Sequence, residues 1–153
     1  MQVYEPSRLA YRKKIGTVKK CQFCDLLNIK SQICKSISGK YWQVIANKYP
    51  YMDGNLMIIP KRHFKNLEDM NESEQKEFFE TLIKTKKRLS KIFKTEDFNI
   101  GLNIGERAGA SIDHLHWQII PRKDKILNAS NIFADLYVIT ISPQKLKKMI
   151  DSA

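Results

Sequence analysis

The sequence predicts an α+β fold: an antiparallel half-sheet of about five strands carrying one long and one short helix. Three observations lead there. Strand-like segments come in pairs joined by turn signals. One long stretch has helical periodicity. Strands and helices do not alternate as βαβ crossovers require. With 153 residues one domain is the default, and such a chain can bury a core without disulfides.

Residues 1–20 are basic and weakly patterned and read as an arm, leaving 21–153 as a single domain. Tyr41–Ala46 is aromatic and β-branched, as a strand requires, and Asn47–Gly54 supplies Pro and Asp-Gly turn signals. The return strand, Asn55–Pro60, is almost continuously apolar and so expects burial on both faces. Asn71 and Glu74 have the spacing of a capping box. Phe78, Phe79, Leu82, Ile83, Leu89, Ile92 and Phe93 then form one helical stripe, opposite Lys84, Lys87, Lys91 and Lys94. The helix ends near Lys94. Phe98–Ile104 and Asp113–Pro121 alternate as strands around the loop 105–111. A fifth strand is expected at 136–141, and a short helix from Pro143, a residue suited to a first turn.

Composition narrows the function classes. No apolar run reaches the 18 or so residues of a membrane span. Residues 1–16 lack the apolar core of a secretory signal. Three cysteines make no even disulfide set, so a reducing, cytoplasmic compartment is expected. Lys and Arg number 27 against 16 Asp and Glu, a net charge of +11. That excess suits a polyanionic partner: nucleic acid, an anionic surface or a phosphorylated small molecule. The lysine face of the long helix reads first as a solvated face, so nucleic acid is not the favoured partner.

The chemistry concentrates in His114-Leu115-His116-Trp117-Gln118. On a strand, residues two apart share a face, so His114, His116 and Gln118 line one surface while Leu115 and Trp117 anchor the other. Gly105 and Gly109 in the preceding loop permit close backbone approach, and the N–H groups of Gly109, Ala110 and Ser111 form a candidate anion nest. Cys21 and Cys24 form a C-x-x-C, either a redox pair or half of a zinc site. A thioredoxin-like motif would need a strand before Cys21, and nothing upstream reads as one in the sequence. For zinc, His63 and either His114 or His116 complete a Cys2His2 set. Cys34 has no partner in this pattern and reads as packing.

The stretch Asn103–Arg122, NIGERAGASIDHLHWQIIPR, resembles the signature of the histidine-triad (HIT) family. Ile45–His63 resembles the first half of the same fold, and 131–144 the tail of the diadenosine tetraphosphate phosphorylase branch. The resemblance implies a homodimer that completes a ten-stranded sheet, and a nucleotide-phosphate substrate. It makes His116 the nucleophile on the α-phosphorus. It assigns Cys21, Cys24, His63 and His114 to structural zinc. Asn47 is implied at the ribose. Asn103, Arg107, Gly109, Ala110 and Ser111 are implied on the substrate side, with Ser111 and the loop amides holding phosphate.

Two departures matter. Gln118 stands where hydrolases of the family carry a third histidine, and Ala110 stands where they often carry glutamine. The H-x-H-x-Q form resembles galactose-1-phosphate uridylyltransferase and the diadenosine polyphosphate phosphorylases. An imidazole can exchange a proton near neutral pH, whereas an amide can only polarise a phosphoryl oxygen. The expected activity is therefore transfer of AMP from diadenosine tetraphosphate to phosphate through a nucleotidyl-histidine, giving ADP and ATP. Lys48, Lys61 or Arg107 would spread leaving-group charge. Two alternatives stand beside it: a HIT hydrolase of dinucleoside polyphosphates or nucleoside phosphoramidates, and a zinc-stabilised nucleotide- or RNA-binding module.

Overall fold

The computed structural model describes residues 21–123 and 141–152. The basic arm, most of the expected fifth strand and the 131–140 part of the resemblance lie outside them. Four strands form one antiparallel sheet: β1 (Trp42–Ala46), β2 (Leu56–Pro60), β3 (Phe98–Leu102) and β4 (Trp117–Pro121), in the order β1-β2-β4-β3. The β1–β2 and β3–β4 pairs are hairpins. They dock through β2 on β4, with Leu56 opposite Ile119, Met57 opposite Gln118 and Ile58 opposite Trp117.

The strand expected at Asp113–Pro121 is four residues shorter than its alternation suggests. Regular pairing begins at Trp117 rather than Asp113. The backbone before it turns aside, and the Leu115 N–H donates to the Phe64 carbonyl at 2.8 Å. The alternation of faces nevertheless continues through 114–118. Leu115 and Ile119 lie in the main core with Trp117 packed against it, while His114, His116 and Gln118 are buried without belonging to that cluster.

Both faces of the sheet are covered, which accounts for the fully buried β1 and β2. One face packs Trp42, Val44, Leu56, Ile58 and Ile119 against α2 (Glu72–Phe93) and α3 (Pro143–Ser152), through Phe78, Leu89, Phe93, Leu146 and Ile150. The other packs Ile45, Met57 and Ile59 against Phe23 and Ile29, which flank and end the short helix α1 (Leu26–Ile29). Each fully buried aliphatic side chain contributes about 1.5–3 kcal/mol to this arrangement.

The long helix starts where its capping box predicts. The Asn71 side chain accepts from the Glu74 N–H, and the Glu74 carboxylate accepts from the Asn71 N–H, both at 2.9 Å. It ends at Lys94, which takes a left-handed conformation with φ of 52°. Its buried stripe differs from the expected one. Phe78, Thr81, Thr85, Leu89 and Phe93 face inward, whereas Phe79 and Ile83 are exposed at 62% and 53%. Thr85 meets its polar requirement within the helix by donating to the Thr81 carbonyl at 2.7 Å. Lys84, Lys87, Lys91 and Lys94 are exposed, as expected of a solvated face. Cys34 is fully buried in the core, and burial raises its thiol pKa to about 12.

One carboxylate ties α2 to the start of β1. Glu77 Oε1 accepts from the N–H groups of Tyr41 and Trp42, at 2.7 and 2.9 Å. Removing it strands two backbone donors at the sheet margin. Glu77→Ala should lower unfolding stability by about 1–3 kcal/mol, read from urea denaturation, while Glu80→Ala on the exposed face should change it by less than about 0.5 kcal/mol.

Candidate active site and metal centre

The docking of β2 on β4 brings together residues far apart in the chain. His114 Nε2 lies 3.0 Å from the Pro60 carbonyl at the end of β2. A carbonyl can only accept, so Nε2 carries the proton and Nδ1 presents its lone pair. That Nδ1 faces Cys21 Sγ at 3.3 Å, Cys24 Sγ at 3.6 Å and His63 Nδ1 at 3.2 Å, and Cys24 Sγ lies 3.4 Å from His63 Nδ1. All four ligand atoms lie within 4.8 Å of one another. Ligands at tetrahedral bond lengths of 2.0–2.3 Å stand about 3.3–3.8 Å apart. The set could therefore hold a metal such as zinc, and the Pro60 carbonyl supplies the outer hydrogen bond that fixes a ligating imidazole. Burial, and then the neighbouring His63 and His116, lower the His114 pKa to about 4 despite its bond to Pro60. The ring is thus neutral, as ligation requires.

Spacing left His114 and His116 open as the fourth ligand, and the family resemblance pointed to His114. Geometry separates them. The His116 Nδ1 lies 2.8 Å from the carbonyl of His114 and donates to it. Its Nε2 is therefore the unprotonated nitrogen, with an in-plane lone pair. Burial lowers the pKa of His116, partly offset by that hydrogen bond, which favours the neutral ring. Phe23, between the two cysteines, packs edge-on against both rings, with centroids 5.7 Å from His114 and 5.4 Å from His116. The segment that brings the thiols thus also walls the histidines, and this contact was not legible in the sequence.

Gln118 is buried opposite Met57. Its Oε1 accepts from Asn55 Nδ2 at 2.8 Å. Asn47, expected at the ribose, is buried at the end of β1. Its Oδ1 accepts from the Tyr49 N–H and its Nδ2 donates to Asn55 Oδ1, both at 2.9 Å. The local pattern marks Asn55 only as the first residue of the return strand, because its partner Gln118 lies 63 residues away in sequence.

The loop after β3 differs from the nest expected of it. Glu106–Ala108 forms a 3-10 turn, in which the Gly109 N–H donates to the Glu106 carbonyl at 2.9 Å and the Ala110 N–H to the Gly105 carbonyl at 3.2 Å. Those amides are spent on the loop, so a three-amide nest is not formed. Gly105 and Gly109 hold φ of 84° and 92°, which explains glycine at both. A Cβ on Gly109 would meet Asn103 Nδ2 at 3.4 Å, so Asn103 lies against the turn. Arg107 and Ser111 are exposed on the same loop.

Comparison with known proteins agrees with this architecture. The HIT domain model matches residues 29–125. The chain belongs to the HIT domain family. It is 34% identical over 110 residues to an AP-4-A phosphorylase of Mycobacterium tuberculosis, covering 71% of this chain and 55% of that protein. It is 31% identical over 105 residues to the adenosine 5'-monophosphoramidase HNT1 of Saccharomyces cerevisiae, covering 69% and 64%. The chain thus spans about half the length of the curated relatives it matches. A Zn-bound histidine triad family protein of Mycobacterium smegmatis shares the fold, with a TM-score of 0.61 at 14% identity, covering 94% of this chain and 90% of that one. No helix among the described residues is long and apolar enough to cross a membrane.

The hydrogen bond from His116 to the His114 carbonyl fixes one tautomer. Nitrogen NMR of histidine-labelled protein at neutral pH should show His116 protonated at Nδ1 and bare at Nε2. The reverse tautomer would contradict the geometry.

Proposed function

We propose that the chain is a nucleotidyltransferase that cleaves a dinucleoside polyphosphate, diadenosine tetraphosphate foremost, and passes AMP to phosphate. One observation carries the reading: His116 offers a bare Nε2 while its other nitrogen is tied to a backbone carbonyl. Attack by Nε2 forms a P–N bond at the α-phosphorus and breaks the bond to the bridging oxygen, releasing ATP. The ring then bears positive charge, which the Nδ1–H bond to the His114 carbonyl disperses. An oxygen of phosphate next attacks the same phosphorus, the P–N bond breaks, and ADP leaves with His116 neutral again.

The acceptor follows from Gln118. An amide donates to a phosphoryl oxygen but takes no proton from water, a deficit of about 10²–10⁴ in rate. Phosphate brings its own negative charge and needs less help. In this reading Arg107, Ser111 and Asn103, on and against the loop after β3, face the phosphates, with the backbone of Gly109 and Ala110 shaping the turn. Asn47, through its remaining lone pair and N–H, serves the ribose. The chain's net charge of +11 supports a polyanionic substrate. Hydrolysis is the second reading, since a phosphoramidase is among the relatives.

Zinc in the Cys21, Cys24, His63 and His114 set would stabilise the fold by tying the N-terminal segment to β4, leaving the chemistry to His116 and Gln118. A homodimer is also part of this reading. Among the described residues β3 pairs only with β4, so its outer edge is open. Phe79, Ile83 and Lys86 recur on one flank of α2, and Lys86 reaches over the ring of Phe98 in β3. An apolar strip beside an open strand edge suits a second copy.

Three outcomes test the proposal. Purified protein should carry about one zinc per chain, and Cys24→Ser should lower Tm more than Cys34→Ser. Less than a tenth of an equivalent in folded protein would remove zinc from the account. Mixing with diadenosine tetraphosphate without phosphate should give an AMP adduct by intact mass, and His116→Ala should abolish adduct and turnover while binding stays within about tenfold. Added phosphate should accelerate turnover and yield ADP, and Gln118→His should divert product toward AMP. Equal AMP release with and without phosphate would favour the hydrolase.

A further inference from the structure

We propose that Asn55 is a positioning residue: it fixes which end of the Gln118 amide faces the reacting phosphoryl group, and so makes Gln118 a hydrogen-bond donor only. The inference rests on the transfer reading above for its consequence, but its geometry stands apart from it.

The argument begins at groups whose roles are not interchangeable. A backbone N–H can only donate and a backbone carbonyl can only accept. The Tyr49 N–H donates to Asn47 at 2.9 Å and the Tyr51 N–H donates to Asn55 at 3.1 Å, so the atoms they meet are the two Oδ1 oxygens. The Leu56 carbonyl accepts from Asn55 at 3.1 Å, so that atom is Nδ2. Asn47 Nδ2 then donates to Asn55 Oδ1 at 2.9 Å, and the second N–H of Asn55 Nδ2 reaches Gln118 at 2.8 Å. Every amide in the row is thereby oriented by fixed backbone donors and acceptors, without appeal to the substrate.

The end of that row sets Gln118. Its oxygen must face Asn55, and its Nε2 must lie on the opposite side of the amide. Turned over, Gln118 would set an N–H group against the N–H of Asn55. Asn55 is fully buried, so water cannot relieve that opposition. Gly54 makes the approach feasible. It holds φ of 83°, and a Cβ there would stand 2.5 Å from the Pro121 side chain. The turn Asn47–Gly54, longer than a two-residue hairpin needs, therefore has work beyond reversing the chain. It delivers two backbone N–H groups that polarise a line of three side-chain amides ending beside His116.

For the reaction, a fixed donor favours an anionic oxygen at the phosphorus throughout transfer and offers nothing that could accept a proton from water. A Gln118 free to turn would present its carbonyl part of the time and repel that oxygen. Asn55 touches neither phosphorus nor nucleophile in this scheme; it acts through Gln118.

The test uses the full chain in two arms. In the first, ligand-free labelled protein is examined by NMR for scalar coupling across the hydrogen bond from Asn55 Nδ2 to the Gln118 side-chain carbonyl. Coupling is expected; its absence overturns the orientation. In the second, Asn55→Asp keeps the acceptor for Tyr51 and Asn47 but replaces the donor facing Gln118. Single-turnover formation of the His116 adduct from diadenosine tetraphosphate should slow about 10²-fold with little change in KM. In a Gln118→Ala background the same substitution should cost less than about threefold. An equal loss in both backgrounds would make Asn55 merely structural and overturn the proposal. If the Asp variant does not fold, Asn55→Ser replaces it, with about a tenfold loss that likewise vanishes without Gln118. If the wild-type chain does not react with this substrate, the transfer reading fails, and the coupling measurement decides the orientation alone.

Discussion

The docking of the two hairpins through β2 and β4 is the constraint on which the rest of the molecule depends. Three residue pairs make that ladder. Just beyond one end of it, Asn55 meets Gln118 across 63 residues of sequence. Beyond the other, the Pro60 carbonyl meets His114 across 54. The candidate metal set and the amide row that orients Gln118 thus lie at opposite ends of one short strand pairing, with His116 next to the metal end. A register slip by one residue would turn His114, His116 and Gln118 into the helix-packed core and put Leu115 and Trp117 on the site face.

The face that carries these side chains is closed by a small amount of chain. Phe23 and Ile29 cover Ile45, Met57 and Ile59, and the thiols of Cys21 and Cys24, on either side of Phe23 in the chain, face His63 and His114. A cover of so few apolar residues contributes limited burial by itself. Arg62 meanwhile holds Glu74 by two hydrogen bonds at 3.0 and 2.9 Å, which fixes the β2 exit near His63 to the start of α2. The same pairing holds the Glu74 carboxyl below its ordinary pKa. The candidate ligand His63 is thereby anchored from the helical side of the sheet while the cysteines approach from the other.

Much of this was legible in the sequence, for local reasons. The capping box at Asn71 and Glu74, the hairpin segments, the two-faced burial of β2 and the face-sharing of His114, His116 and Gln118 all follow from spacing within a few residues. What failed was set by distant contacts. Asp113–His116 keeps the alternation of a strand but not its pairing, because the Leu115 N–H is drawn to Phe64. Phe79 and Ile83 satisfy helical periodicity as well as Phe78 does, and periodicity cannot say which flank a sheet of finite width will cover. Spacing could not choose between His114 and His116 as a ligand; the family resemblance pointed to His114, and the Pro60 carbonyl supplies the physical reason. Glycine at 105 and 109 signalled a tight loop correctly, but not that the loop would use its own amides. The expected fifth strand lies outside the described residues.

The separation in sequence of the contacting groups bears on how the site comes into being. Each hairpin pairs strands near one another in sequence, whereas Cys21 and His114 are 93 residues apart and meet across the docked hairpins. Loop closure over such a span is entropically costly and slow relative to local structure. A chain still emerging from synthesis therefore exposes two thiols and His63 well before the remaining imidazole exists. In that interval it is a soft, incomplete chelator, open to oxidation and to whichever thiophilic ion is most abundant. With all four groups in place the candidate set would select by geometry; the partial set would select only by supply.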